Sequence, residues 1–402
     1  MCRENTLNSF ILTKCMLYIT DINGLRCNGI KEGKNGLGVV VCSGNVAGVF
    51  TQNAFRAPPV VVTEEHIRKG WIEGIVVNSG NANAFTGKRG IKNAKRMCEL
   101  LANELKTDVE RIAVASTGVI GVQLDMNWIE SKFVEVYKGL GSSKDHAMAF
   151  AKSIMTTDKF PKVASYKVGE CKIAGICKGA GMIHPNMATM LAFIFTNADF
   201  SSEELREMLK IAVKYSFNTI SVDGDTSTND MVLLVATGES RIDRDKFLEG
   251  LKSVCLDLAK QIVRDGEGTT KVLKVEILNA RDDDQAFKGA RAVVSSNLVK
   301  TAVFGCDPNW GRIIASLGCA GIEVNEELDL TLRGYRNSEL IAEVRLVENG
   351  VGLGNEGVAR KVIESADEVH FVIDLKLGNG KGYAYGCDLS YEYVRINSEY
   401  TS

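Results

Sequence analysis

Residues 178–195 read KGAGMIHPNMATMLAFIF. Glycines, a proline and small residues favour a loop in the first half, whereas the second half is an apolar run suited to a buried strand. Thr189 lies at the junction, so a break in the Ala188–Thr189 peptide bond would give that strand a threonine with a free α-amine. Such an amine, with a reference pKa of about 8, can take the proton of the neighbouring hydroxyl without any histidine. The alternative is an ordinary β-branched residue ahead of a strand.

Strand-like and helical periodicities recur on both sides of this segment and predict a mixed α/β protein. The predicted strands are 37–42, 74–78, 112–116, 231–236 and 272–278, and the predicted helices are 90–104, 203–215, 243–263 and 283–300. Ser201 and Glu204 form a capping-box pattern at the start of the second helix. The 39 glycines gather in short clusters at the ends of these elements, as tight turns and crowded active sites both require.

Composition excludes several classes of function. The 48 basic and 50 acidic residues are mixed along the chain and give a net charge of -2, so no sustained positive field exists for nucleic acid or anionic lipid. No run approaches the roughly 18 apolar residues that span a bilayer. The apolar stretch 10–19 is interrupted by Lys14 and precedes no signal-peptidase pattern, so we expect a cytoplasmic protein without a membrane partner.

The chemistry-bearing motifs other than 178–195 are weak. Residues 223–230 resemble a calcium loop, but Thr228 and Leu234 occupy the positions that need glycine and glutamate, so we expect a polar structural loop. A GxGxxG at 352–357 stands alone and predicts a turn. The eleven cysteines are scattered, and none of the four histidines lies at ligand spacing from the nearest pair, Cys171 and Cys177, so we expect no zinc site. We expect that the protein needs no metal and no organic cofactor. Of those histidines, His184 is singled out by its place in the central segment.

The segment 178–195 closely resembles the cleavage segment of the ornithine acetyltransferases, the glutamate N-acetyltransferases of arginine biosynthesis. Further motifs match in the family's order and cover nearly the whole chain after the first fifteen or so residues, which depart from the family's usual opening. They are NSGNANAFTG at 78–87, STGVIG at 116–121, MTTD at 155–158, SVDGDTSTND at 221–230, DGEGTTK at 265–271 and DPNWGRII at 307–314.

The resemblance implies a layered α-β-β-α sandwich of the type shared by ornithine acetyltransferases and DmpA aminopeptidases. It implies self-cleavage between Ala188 and Thr189 into an α chain, 1–188, and a β chain, 189–402, two of each associating as a heterotetramer. Thr189 would be the nucleophile that takes acetyl from N2-acetylornithine and passes it to glutamate by a ping-pong cycle. Thr117 and Gly118 would form the oxyanion hole, and substrate contacts would fall on Thr156, Lys178, Thr189, Glu267, Asn397 and Ser402.

These assignments suit the residue types. Thr117 and Gly118 offer a hydroxyl and an N–H to a tetrahedral oxyanion, and Lys178 and Glu267 offer opposite charges to the carboxylate and amine of an amino acid. Two alternatives remain open. One is a bifunctional enzyme that also makes N-acetylglutamate from acetyl-CoA, and the other is a self-processing amidase or aminopeptidase of the same fold.

Overall fold

The computed structural model describes residues 16–184 and 190–399. Within these ranges, no helix is long and apolar enough to cross a membrane. The strands, in chain order, are β1 Arg26–Glu32, β2 Asn35–Phe50, β3 Trp71–Asn81, β4 Ile112–Val119, β5 Lys162–Val168, β6 Cys171–Lys178, β7 Leu191–Ala198, β8 Ile220–Ser221, β9 Met231–Ser240, β10 Val272–Ala280, β11 Asp329–Arg336, β12 Glu339–Glu348, β13 Val351–Gly352, β14 Glu368–Asp374 and β15 Gly380–Cys387.

The α-helices alternate with these strands along the chain. They are α1 Pro58–His66, α2 Gly87–Leu105, α3 Met126–Lys138, α4 Lys144–Ser153, α5 Ser202–Lys214, α6 Arg244–Arg264, α7 Asp283–Ser295, α8 Asn297–Phe304, α9 Trp310–Gly318, α10 Glu356–Ser365 and α11 Tyr391–Glu399. Short 3-10 helices occupy Ile19–Asp21, Ile67–Lys69, Val109–Arg111 and Phe217–Thr219.

The first sheet has the order β4-β3-β2-β9-β7-β6-β5, with β1 paired to the first half of β2. The long strand β2 changes register against β3 between Val41 and Gly44, and its second half pairs with β9. A Cβ on Gly44 would lie 2.3 Å from the Ala236 carbonyl oxygen, so only glycine permits this close approach of β2 and β9.

This sheet folds over into two facing layers. One buried cluster joins Val77 of β3 and Ala115 of β4 with Ile176 of β6 and Phe193 of β7, although these strands lie towards opposite edges of the sheet. The alternate residues of β2, β3 and β4 face α2 and α3, and those of β6, β7 and β9 face α5 and α6. The result is an α-β-β-α sandwich, so the predicted fold class is confirmed.

The second sheet has the order β13-β12-β11-β14-β10-β15-β8. Its apolar face, which includes Val275 and Phe371, packs against α7 to α10 through residues such as Val293 and Ile313. The short strand β8 precedes β9 of the first sheet in the chain but pairs with β15 of the second sheet. The segment from β8 to β9 therefore connects the two sheets.

The strand and helix predictions can be compared with these bounds. All five predicted strands lie within β2, β3, β4, β9 and β10, and the Ser201–Glu204 capping box is present. The single helix predicted over 283–300 is wrong, because the structure divides it at Ser296. That residue has extended backbone angles, and its hydroxyl accepts from the Val299 N–H and so starts α8.

Candidate active site

A pocket of about 610 Å³ opens where the ends of β4 and β6 meet the turn that follows α6. It is lined by every described residue to which the sequence assigned a role, namely Thr117, Gly118, Thr156, Lys178, Glu267 and Asn397. The remaining assigned residues, Ala188, Thr189 and Ser402, lie outside the described residues. Four of the six lining residues precede the predicted cleavage point and two follow it, so the pocket is built from both predicted chains.

Thr117 and Gly118 lie just before the last residue of β4, which runs parallel to β3. Gly118 has a φ of +133°, and a Cβ there would lie 2.3 Å from the carbonyl carbon of Gly80. Glycine is therefore required at this position for both backbone angle and space. Thr117 is buried, and its hydroxyl lies 3.3 Å from the Lys178 ammonium, which donates to it.

Lys178 ends β6 and is buried in the pocket wall. Its ammonium lies 4.0 Å from a carboxylate oxygen of Asp158. Burial lowers the pKa of Lys178, and the neighbouring Lys162 lowers it further, whereas Asp158 and Glu267 act in the opposite direction. The charged state of this lysine therefore depends on the acidic groups around it.

Asp158, the last residue of the MTTD motif, is the most connected of these acids. Its carboxylate accepts from the N–H of Thr156 at 2.9 Å, the N–H of Gly179 at 2.7 Å and the Lys162 ammonium at 2.7 Å. Burial alone would raise the pKa of Asp158, but Lys178 and Lys162 hold it well below its usual range. In the sequence, Asp158 is visible only as part of the MTTD motif, which assigns it no role.

Glu267 and Asn397 form the opposite side of the pocket. The Asn397 amide donates to a Glu267 carboxylate oxygen at 2.8 Å. A Cβ on Gly181 would lie 2.5 Å from the Glu267 carboxylate, so the glycine-rich segment after Lys178 leaves room for this acid. Helix α11 packs on the turn at Gly268, whose carbonyl accepts from the Ser390 hydroxyl at 2.6 Å. The C-terminal helix is thus held at the pocket as far as the structure describes it.

The chain matches a known protein family over nearly its whole length. A family model described as the ArgJ family matches residues 22–402. This chain belongs to the ArgJ family.

Several ArgJ-family proteins resemble it over their full length. The "Arginine biosynthesis bifunctional protein ArgJ" of Archaeoglobus fulgidus is 56% identical over 386 residues, which cover 96% of this chain and 100% of that protein. The "Glutamate N-acetyltransferase" of Methanothermobacter thermautotrophicus is 46% identical over 394 residues, with 95% and 96% covered. A crystal structure of ArgJ from Bacillus halodurans is 40% identical, covers 52% of this chain and 98% of its own, and has a TM-score of 0.48.

Two further residues of this ArgJ-family chain shape the pocket, and both end the polar loop before β9. The Asn229 amide donates to the carbonyls of Ala82 and Ser116 at 2.6 and 2.9 Å, which fixes the end of β4. Asp230 is fully buried and accepts from the Met190 N–H at 3.0 Å, while its second carboxyl oxygen has no partner within the described residues. Burial raises the pKa of Asp230 well above its ordinary value. Both residues end the SVDGDTSTND motif at 221–230, but the match gave neither of them a role.

The predicted structural loop at 223–230 does have contacts that hold the central segment of this ArgJ-family chain. The Asp223 carboxylate accepts from the N–H groups of Met182 and Ile183 at 2.5 and 2.9 Å. His184 lies beside Ser221, 3.2 Å from its hydroxyl, and is not among the residues lining the pocket. Burial lowers the pKa of His184, and Arg291 lowers it further. In the described ranges, no group of three or more His, Cys, Asp or Glu residues could hold a metal ion.

Proposed function

We propose that this chain is a glutamate N-acetyltransferase that moves an acetyl group from N2-acetylornithine to glutamate, within arginine biosynthesis and in the cytoplasm. The observation that carries the proposal is the gathering of Thr117, Gly118, Lys178, Glu267 and Asn397 around one pocket in a chain of this family. Relatives with nearly full-length matches are named as glutamate N-acetyltransferases. The pocket residues and the names of the relatives both support transfer of an acetyl group to an amino acid.

The proposed cycle begins after cleavage between Ala188 and Thr189. The Thr189 oxygen attacks the acetyl carbonyl, and its proton passes to the new α-amine. Negative charge develops on the carbonyl oxygen, which the Thr117 hydroxyl and the Gly118 N–H stabilise. The carbon–nitrogen bond then breaks, and the proton held by the amine leaves with ornithine, so that an acetyl-threonine ester remains.

The second half of the cycle reverses the first with a different amine. The amino group of glutamate attacks the acetyl-threonine, its proton returns through the Thr189 amine to the threonine oxygen, and N-acetylglutamate leaves. Lys178 supplies a positive charge for an α-carboxylate, and Glu267 supplies a negative charge on the opposite side for the side-chain ammonium of ornithine. Thr156, Asn397 and Ser402 complete the proposed substrate contacts.

Cleavage would not separate the two product chains, because two strands of the β chain, β9 and β7, lie between strands of the α chain in one sheet. β6, from the proposed α chain, pairs with β7, from the β chain, and β2 likewise pairs with β9. We propose that the two chains remain associated and that two copies of each form the enzyme. Size-exclusion chromatography with light scattering measures that assembly directly.

Intact-mass analysis of the purified protein, with Thr189→Ala as its matched control, tests the proposal. The wild type is expected to give two masses that meet at Ala188–Thr189 and to transfer acetyl, whereas the variant should stay as one inactive chain. A wild type that remains one inactive chain would overturn the nucleophile and the cleavage together.

Two assays separate the remaining alternatives. Formation of N-acetylglutamate from acetyl-CoA and glutamate, without acetylornithine, would identify a bifunctional enzyme, as the name of the Archaeoglobus fulgidus relative suggests. Consumption of acetylornithine when glutamate is omitted would instead identify an amidase, in which water resolves the acyl-threonine. The proposed transferase needs glutamate for sustained turnover.

A further inference from the structure

Four buried charges form a row that leads from the end of α6 to the pocket. Asp265, the residue after α6, contacts the Lys162 ammonium at 2.5 Å, and that ammonium contacts Asp158 at 2.7 Å. Asp158 in turn faces the Lys178 ammonium at 4.0 Å. The side chains of the row are between 0% and 3% exposed where these pairs form, so water screens them little. We call these four residues the charge row.

The charge row also holds backbone groups on two sides of the pocket. Asp158 accepts from the N–H of Thr156 and from that of Gly179, the residue that follows Lys178. Asp265 accepts from the Lys159 N–H at 3.0 Å and lies two residues before Glu267. The proposed contacts for substrate, Thr156, Lys178 and Glu267, are therefore tied to one set of buried ions.

A buried lysine loses its proton readily unless an anion lies close to it. Among the described residues, the charged groups that face Lys178 are the anions Asp158 and Glu267, the buried Asp230, and the cations Lys162 and Lys31. Asp230 favours its neutral form because of burial, and Glu267 accepts a hydrogen bond from Asn397. Asp158 is thus the anion best placed to keep Lys178 charged.

We propose that Asp158 is a positioning residue for Lys178, holding its side chain as an ammonium ion in the pocket so that it recognises the carboxylate of an amino-acid substrate. Lys162 and Asp265 complete the charge row: Lys162 orients the Asp158 carboxylate, and Asp265 offsets the charge of Lys162. This role rests on the proposed transferase function, since it concerns substrate recognition in that reaction. It gives the MTTD and DGEGTTK motifs one shared physical purpose.

The test is the pH dependence of kcat/KM for N-acetylornithine in Asp158→Asn. The asparagine oxygen can still accept from the Gly179 N–H, but the negative charge is gone. We expect the alkaline limb of the profile to move to lower pH by about one unit, which is about a tenfold loss on that limb. On the acid side, where Lys178 is charged regardless, kcat/KM should stay within about threefold of wild type. KM should account for most of the loss, with kcat changed less.

A double variant, Asp158→Asn with Lys162→Met, removes one charge of each sign and serves if the single variant does not fold. The alkaline limb should then move in the same direction by a smaller amount, because a repelling neighbour of Lys178 is also removed. Equal loss at every pH, or an unchanged profile in both variants, would overturn the positioning role. Failure of the proposed function is distinguishable, because the wild type itself would then show no acetyl transfer.

Discussion

Asp158 and Asp230 are both buried aspartates beside the same pocket, but they differ in proton affinity. The pKa of Asp158 is lowered, whereas that of Asp230 is raised. Two lysines and two backbone N–H groups surround Asp158 and hold its pKa low. Asp230 accepts a hydrogen bond from the Met190 N–H, and burial raises its pKa. Neighbouring charges and hydrogen-bond donors, and not burial alone, therefore decide whether a buried carboxyl group of this pocket is ionised.

Removal of the ionised Asp158 carboxylate should cause the greatest loss of stability. Asp158→Ala would leave Lys162 with one carboxylate partner, Asp265, and Lys178 without its nearest anion, and we expect the free energy of unfolding to fall by about 3–5 kcal/mol. Urea denaturation in a Thr189→Ala background, where unfolding is that of one chain, measures it. Asp108→Ala is the control, since that side chain is 83% exposed and its loss should change stability by about 0.5 kcal/mol or less. Equal losses of stability in the two variants would contradict the claim that Asp158 is a buried ion on which Lys162 and Lys178 depend.

A smaller effect is expected where the acid acts as a hydrogen-bond acceptor. Asp230→Ala would leave the Met190 N–H without its partner in buried surroundings, at a cost of about 1–3 kcal/mol. Asp230→Asn retains an acceptor oxygen and should cost less than about 1 kcal/mol in the same denaturation experiment. If asparagine proved as damaging as alanine, Asp230 would be acting as an ion after all.

The pH dependence of stability distinguishes the two acids, because folding lowers the pKa of Asp158 and raises that of Asp230. The pKa of Asp158 is lower in the folded state, so its contribution is present above about pH 4 and is lost as the pH falls below that. The pKa of Asp230 is raised, so its contribution is full below about pH 4 and declines as the pH rises. Compared with wild type, Asp230→Asn should lose less stability between about pH 4 and 7. A parallel pair of stability curves would contradict this assignment.

A further effect, confined to alkaline pH, concerns Lys31, a half-buried cation near the charge row that donates to the Ser79 hydroxyl at 2.8 Å. Burial, followed by Lys178, lowers its pKa to about 8. Since the unfolded value is about 10.4, this group makes the protein gain stability as the pH rises from about 8 to 10. Thermal unfolding of Lys31→Met should lack that gain. A gain of the same size in the variant would assign it to other groups.

Short-range features of the fold could be predicted from the sequence, whereas long-range ones could not. The capping box at Ser201 and the strand at 231–236 depend on neighbours within a few residues, and both are present. The break at Ser296 was missed because an apolar helical pattern continues through it, and only the serine hydroxyl shows the new start. Likewise, nothing in a linear pattern indicated that β2 would span both layers of the sandwich.

The same limit applies to the site. Thr117, Lys178 and Glu267 could be predicted as site residues, because each lies in a motif that matches the family. Lys162 and Asp265 are 103 residues apart and meet only in the folded chain, so periodicity and spacing say nothing of their pairing. The proton affinity of Asp230 likewise depends on what the fold puts around it, which composition does not reveal.

The interleaved order of the first sheet has a consequence for refolding. Lys178 of β6 is paired with Leu191 of β7, so in the uncut precursor one short connection holds two neighbouring strands at a high effective concentration. After the proposed cut, reassembly of a denatured enzyme is an encounter between two molecules, neither of which contains all the strands of the first sheet. Its yield then depends on dilution, whereas that of the precursor does not. After cleavage, the mature enzyme would therefore refold poorly in dilute solution, and its lifetime would be set by how slowly it unfolds.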